Sequence, residues 1–146
     1  VKRAEQQIVV EGTPQQCFDA LLEYESFPEW QRAVKSVEVM KRDRSGRGQD
    51  VAFEIDAKVR TIHYELRYSY EPPHRIAWEY LGGDVKDVDG EMVLEDQGDG
   101  TTLATYSLAL DPGVWLPGPL QKVLNDQVMK GSVEDLKRRV EDDAAR

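Results

Sequence analysis

Apolar and polar residues alternate with a period of two through most of the middle of this chain. Between Val59 and Tyr70, Ile62, Tyr64, Leu66, Tyr68 and Tyr70 share one parity, while Thr61, His63, Glu65, Arg67 and Ser69 share the other. This is the pattern of a strand with one covered and one wet face. The same alternation predicts strands over Glu5–Glu11, Val34–Met40, Gln49–Ala57, Arg75–Tyr80, Val88–Glu95 and Thr102–Asp111. Turn chemistry separates them. Pro72-Pro73 cannot serve a central ladder, Gly82-Gly83-Asp84 reads as a turn, and Asp99-Gly100 supplies the positive φ of a tight hairpin. Connections this short permit antiparallel neighbours only. The expectation is a seven-stranded antiparallel meander with one apolar, aromatic face and one polar face.

Two stretches leave the alternation. Thr13-Pro14 opens the first as an N-cap followed by proline at the first helical position. Phe18, Leu21 and Leu22 then recur at helical spacing, and Ser26 with Pro28 predicts a second short helix carrying Trp30. The last stretch, about Pro119 to Val140, is roughly 33 Å long if fully helical and is the obvious cover for the apolar face. Its stripe changes side: Leu116, Leu120, Val123, Leu124 and Val128 cluster on one side, Met129, Val133, Leu136 and Val140 on nearly the opposite one. Gly131-Ser132, with Asp135 as a cap partner, predicts a bend or a change of contact face. A straight helix with both stripes buried fits as well. The charged tail from Glu141 is expected to fray.

Length and composition change the picture mainly by exclusion. At 146 residues the chain reads as one domain, 1–146, with a core of about 5–141. The formal net charge of −9 argues against nucleic acid as a partner. No run is apolar enough for a membrane span, and no signal peptide is visible, so the expected compartment is the cytoplasm. The single Cys17 excludes an internal disulfide and fits a buried, inert thiol. The basic run Lys41–Arg47 reads as a solvated hairpin tip. Oligomeric state is not readable.

The order of elements, together with specific residues, supports a family resemblance. The residues are Thr13-Pro14, Phe18-x-x-Leu21, Phe27-Pro28-Glu29-Trp30, Val34-Lys-Ser-Val-Glu-Val, Gly98-Asp-Gly-Thr-Thr and Leu136-Lys-Arg-Arg. They resemble the START-like, or SRPBCC, superfamily. The likeness is closest to its bacterial branch of polyketide cyclase/dehydrase and lipid transport proteins, which includes coenzyme Q-binding proteins. The resemblance implies an α+β helix-grip fold (β-α-α-β6-α), a curved sheet wrapped around the C-terminal helix with a cavity between. Strand parity then names the side chains that would line it. Phe53 and Ile55 come first, then Ile62, Tyr64, Leu66 and Tyr68. Trp78 and Tyr80 follow, then Met92 and Leu94, then Tyr106 and Leu108. The helix would add Leu120, Leu124 and Val128. Apolar walls with a few placed hydroxyls suit a hydrophobic ligand. A solid core built from the same residues is the other reading.

Motifs for chemistry are missing. There is no nucleophile elbow, paired-histidine zinc motif or P-loop, and nothing calls for a metal or a cofactor. His63 and His74 read as ordinary surface histidines. The inward tyrosines could support an enolate by hydrogen bonding or could be core aromatics. The resemblance implies cyclases that use cavity Arg, Ser or His, and no inward Arg or His is evident. Trp30 reads as an anchor of the helix pair. Trp115, in the Pro/Gly-rich segment 112–119, reads either as a lid or membrane-touching residue or as a ring tucked under its loop. Three functions follow in order. The first is a carrier of a hydrophobic small molecule such as a lipid, isoprenoid quinone or polyketide-like compound. The second is a polyketide aromatase/cyclase or dehydratase, and the third a ligand-free interaction module.

Overall fold

The computed structural model describes residues 3–56, 60–113 and 117–145; within the last helix the side chains at 118 and 120–127 lie outside that description. The elements are β1 (Arg3–Val10), α1 (Pro14–Leu22), a 3₁₀ turn (Tyr24–Ser26) and α2 (Phe27–Trp30). They continue with β2 (Val34–Arg42), β3 (Gly48–Asp56), β4 (Thr61–Glu71), β5 (Arg75–Gly83), β6 (Asp87–Asp96), β7 (Thr102–Asp111) and α3 (Gly118–Ala144). The seven strands form one antiparallel sheet in the order β1-β7-β6-β5-β4-β3-β2. Strands β2 to β7 are therefore the expected meander, and β1 closes its far edge beside β7.

Register confirms the parity read from the sequence. Phe53 faces Tyr64 across β3 and β4, and Tyr68 faces Trp78 across β4 and β5. Met92 faces Tyr106 and Leu94 faces Ala104 across β6 and β7. These residues share the inner face, which α1 and α3 cover at one end. The opening of α1 is a capping box: Thr13 Oγ1 accepts from the Gln16 amide at 3.2 Å, and Gln16 Oε1 accepts from the Thr13 amide at 2.8 Å. Lys137 donates to the Val9 carbonyl at 3.1 Å, and Glu141 accepts from the Glu11 amide at 2.9 Å, so α3 caps the free edge of β1.

Four local expectations are corrected. Ser26 caps no helix; its hydroxyl donates to the Glu23 carbonyl and accepts the Trp30 indole N–H. Gly82 and Gly83 belong to β5, where a register shift opposite Glu65 and Leu66 pushes Leu81 outward, and the turn itself lies at 84–86. Ser132 does not start a new helical segment: α3 runs through it unbroken, and its hydroxyl bonds back to the Val128 carbonyl at 3.0 Å. The tail does not fray at Glu141, because the helix continues to Ala144 with Lys137–Glu141 and Arg139–Asp143 pairs one turn apart. The change of stripe along α3 involves side chains outside the described residues.

Two ends of the inner face differ. Where α1 begins and α3 finishes, Val10, Leu94, Ala104, Val133 and Leu136 are sealed. On the side of Met129 the cover is thinner: Ile55, Ile62, Tyr64, Tyr80 and Tyr106 pack at the margin of the second cluster and, like Val128, are each only half-buried.

Candidate ligand-binding site

The partly open end of the inner face is lined from four strands. Its rings form a connected set, with Phe53 and Tyr64 centroids 5.8 Å apart, Tyr68 and Trp78 5.8 Å apart, and Trp78 and Tyr106 5.5 Å apart. Trp78 packs over a position that has no side chain. A Cβ on Gly90 would fall 2.7 Å from the indole Nε1 and 2.7 Å from the Ser107 carbonyl oxygen. Gly90, which faces Leu108 across β6 and β7 and shares the parity of Met92 and Leu94, is thus a packing requirement.

The six tyrosines separate into two groups. Tyr70 donates to the Gly48 carbonyl at 2.5 Å and lies 2.6 Å from the Tyr24 hydroxyl, so these two are satisfied by the protein. Tyr80 donates to the Val85 carbonyl at 2.5 Å. The hydroxyls of Tyr64, Tyr68 and Tyr106, and the Trp78 indole N–H, have no hydrogen-bond partner among the described residues. Burial pushes the Tyr64, Tyr68 and Tyr106 hydroxyls well up from the ordinary phenol value, Tyr106 to about 12. At neutral pH all three are hydrogen-bond donors, and none is a base.

The remaining residues named from the sequence fall into two sets. Phe53, Leu66 and Leu108 are buried in the cluster around Tyr24 and Phe27, and Ile62 packs at its margin. Met92 and Leu94 lie in the sealed cluster with Phe18, Val133 and Leu136, against which Tyr68, Trp78 and Tyr106 also pack. Val128 is half-buried. The side chains of Leu120 and Leu124, and Val114, Trp115 and Leu116 altogether, lie outside the described residues. Trp30 donates to Ser26 and carries the Arg139 guanidinium 5.9 Å over its ring, an anchoring role. His74 sits in the β4–β5 turn with Nδ1 3.2 Å from the Leu94 carbonyl. At the basic hairpin tip Asp43 accepts the Ser45 and Arg47 amides, Arg42 pairs with Glu25, and Arg47 covers the Phe18 and Tyr70 rings. Among the described residues no cluster of His, Cys, Asp and Glu is placed to hold a metal, and no helix is long and apolar enough to cross a membrane.

Comparison with known proteins bears on the fold. A START superfamily protein from Mycobacterium smegmatis superposes with a TM-score of 0.89 at 18% identity, covering 96% of this chain and 97% of that one. The Zhui aromatase/cyclase from Streptomyces sp. R1128 gives 0.77 at 15% identity, covering 96% and 93%. The di-domain aromatase/cyclase BexL of the BE-7585A biosynthetic pathway gives 0.74 at 16% identity, covering 97% of this chain and 47% of that one. At these identities the likeness is one of fold. A comparison with curated protein sequences returns no match. The family model described as polyketide cyclase / dehydrase and lipid transport matches residues 2–141, and the chain belongs to that family.

Proposed function

We propose that this protein binds and carries a hydrophobic small molecule on the inner face, between the sheet and α3. One observation carries the reading: Tyr64, Tyr68, Tyr106 and Trp78 present polar hydrogens on an otherwise apolar, half-buried wall, and no described residue accepts them. Enclosing such a donor without an acceptor would cost on the order of 1–3 kcal/mol. Proteins keep such groups where water or a ligand oxygen completes them. A lipid, quinone or polyketide-like compound offers that combination of apolar body and carbonyl or phenolic oxygen. The raised tyrosine pKa values favour binding over proton abstraction, because a general base works best with a pKa near the operating pH. A buried thiol and the lack, among the described residues, of a helix able to span a bilayer suit work in the cytoplasm.

The test is native mass spectrometry of the protein purified from its own host, with extraction and identification of whatever travels with it. Titration with the neutral fluorophore 1-N-phenylnaphthylamine runs in parallel. A stoichiometric hydrophobic compound, displaced by the probe, is the expected result. A clean apo mass together with no saturable probe binding overturns the reading.

The aromatase/cyclases among the structural relatives support a second reading, an aromatase/cyclase or dehydratase acting at the same wall. Here the three hydroxyls would hydrogen-bond a developing enolate. Turnover of a poly-β-ketone substrate that falls at least tenfold in Tyr64→Phe, Tyr68→Phe or Tyr106→Phe would favour it. Unchanged turnover in all three would remove it.

A further inference from the structure

At the open end one turn is held from both faces of the sheet, and one of the two holds can titrate. The turn is 84–86, between β5 and β6. From the inner face Tyr80 donates to the Val85 carbonyl at 2.5 Å, and Lys86 donates its amide to Asp111 at the end of β7 at 2.9 Å. From the outer face His63 grips Asp84. The His63 amide donates to Asp84 Oδ2 at 2.8 Å, and the Asp84 amide donates to the His63 carbonyl at 2.7 Å. The ring Nδ1 lies 3.2 Å from the same Oδ2, and Nε2 lies 2.8 Å from Glu54 Oε2. The approach needs glycine at position 83: φ is +142°, and a Cβ there would fall 2.3 Å from the His63 carbonyl oxygen.

Both ring nitrogens therefore face carboxylate oxygens, and carboxylates only accept. A neutral imidazole has a single N–H, so one contact would become acceptor against acceptor. The imidazolium satisfies both. Among the described residues, the charged groups bonded to the ring or to Asp84 are Glu54 from β3, Asp84 from the turn, and Arg60 ahead of β4, whose guanidinium donates to the Asp84 carbonyl at 3.4 Å, while Glu65 shares the outward parity of His63 on β4. β5 contributes only Gly82 and Gly83 at this point.

We propose that His63 is a proton-operated latch on the rim of the inner site: as imidazolium it holds the 84–86 turn shut, and its deprotonation loosens the turn and speeds release of the bound molecule. The release half rests on the carrier reading above; the latch half stands on the clamp geometry alone. The direction of titration agrees. The Glu54 and Asp84 hydrogen bonds raise the His63 pKa above its ordinary value, while His63 lowers that of Asp84. The hold is fully present below the unfolded histidine pKa near 6.5 and is lost as pH rises through the higher folded value. The Asp84 side fails only in strong acid. The ring is 61% exposed, so the effect is modest, about threefold in turn opening.

Amide hydrogen exchange at Asp84, Val85 and Lys86, corrected for intrinsic rates, is followed from pH 6 to 9 beside an NMR titration of His63. Protection at the Asp84 amide should fall about threefold with the His63 midpoint, and His63→Gln should be flat. Wild type and His63→Gln sharing one profile would overturn the latch. Release of 1-N-phenylnaphthylamine is measured on the same samples. Release that quickens with the same midpoint supports the gate. Release that ignores pH while the amide responds overturns it. A probe that never binds counts against the carrier reading, and the exchange data still decide the latch.

Discussion

The two ends of the inner face are built from the same alternation, yet one is sealed and the other is not. At the closed end Leu94, Ala104 and Val10 meet Phe18 of α1 and Val133, Leu136 and Val140 of α3. Small and branched residues there face a helix pair, and each is covered. At the open end the sheet offers mostly rings, Tyr64, Trp78 and Tyr106, which remain half-buried with polar atoms unpaired. A strand pattern states which face turns inward. It does not state whether anything from the same chain fills the space beyond. The tyrosines sharpen the contrast, because Tyr24 and Tyr70 close their hydrogen bonds within the protein near the β2–β3 hairpin, whereas Tyr64, Tyr68 and Tyr106 do not.

The largest expected effect tests the sealing. Leu136 is fully buried, so Leu136→Ala should cost about 3–5 kcal/mol in urea unfolding through lost burial and a residual cavity. Ile62→Ala at the open end should cost about 1 kcal/mol, because its side chain already keeps exposed surface. Equal losses would mean that both ends are packed solid. Gly90→Ala comes next. Its Cβ would collide with the Trp78 ring and the Ser107 carbonyl, so about 1–3 kcal/mol should be lost to overpacking. Trp78 should also shift, and its fluorescence should change. An unperturbed spectrum would show that the indole has room to spare.

Cys17 probes the closed end without mutation. Burial pushes its thiol up to about 11, with the nearby Thr102 side chain partly offsetting. The fold thus prefers the neutral thiol. That contribution is intact below the unfolded pKa near 9 and is lost as pH rises toward 11. At pH 10 it removes about 1 kcal/mol. Iodoacetamide at pH 8 should label Cys17 only as fast as the protein unfolds, and rapid labelling of the native state would contradict a sealed end.

Much of the fold was legible because it depends on parity and punctuation. The strand β7 was bounded correctly, as were the Thr13 cap and the inner-face set from Phe53 to Leu108. The misses lie where a side chain could choose between partners. Ser26 could have capped α2 but instead bonds Glu23 and Trp30. Ser132 could have started a helix but bonds back to Val128. Gly82 and Gly83 looked like a turn, yet both pair within β5, and the backbone approach to His63 needs glycine at 83. The site was legible only as a list of inward residues. Which tyrosines are satisfied depends on the Gly48 and Val85 carbonyls, brought near by register and by the 84–86 turn, and no local pattern encodes that. The same holds for His63. Its outward parity was correct, but its two carboxylate partners come from a neighbouring strand and a turn about twenty residues later.

The smallest stability effects separate the ends most cleanly, because they change a single oxygen. Tyr70→Phe removes the donor to Gly48 and the partner of Tyr24, leaving two polar groups short of a bond, so about 1 kcal/mol should be lost. Tyr68→Phe and Tyr106→Phe remove hydroxyls that the described residues do not satisfy, so stability should hold within about 0.5 kcal/mol or rise slightly. Ligand binding should show the reverse order. Any ketone or quinone held at the open wall should lose several-fold in affinity in Tyr68→Phe and Tyr106→Phe but little in Tyr70→Phe. A stability loss without an affinity loss at Tyr68 would mean that its hydroxyl serves the fold after all. An affinity loss without a stability loss would mark the open end as a surface kept unfinished for a ligand.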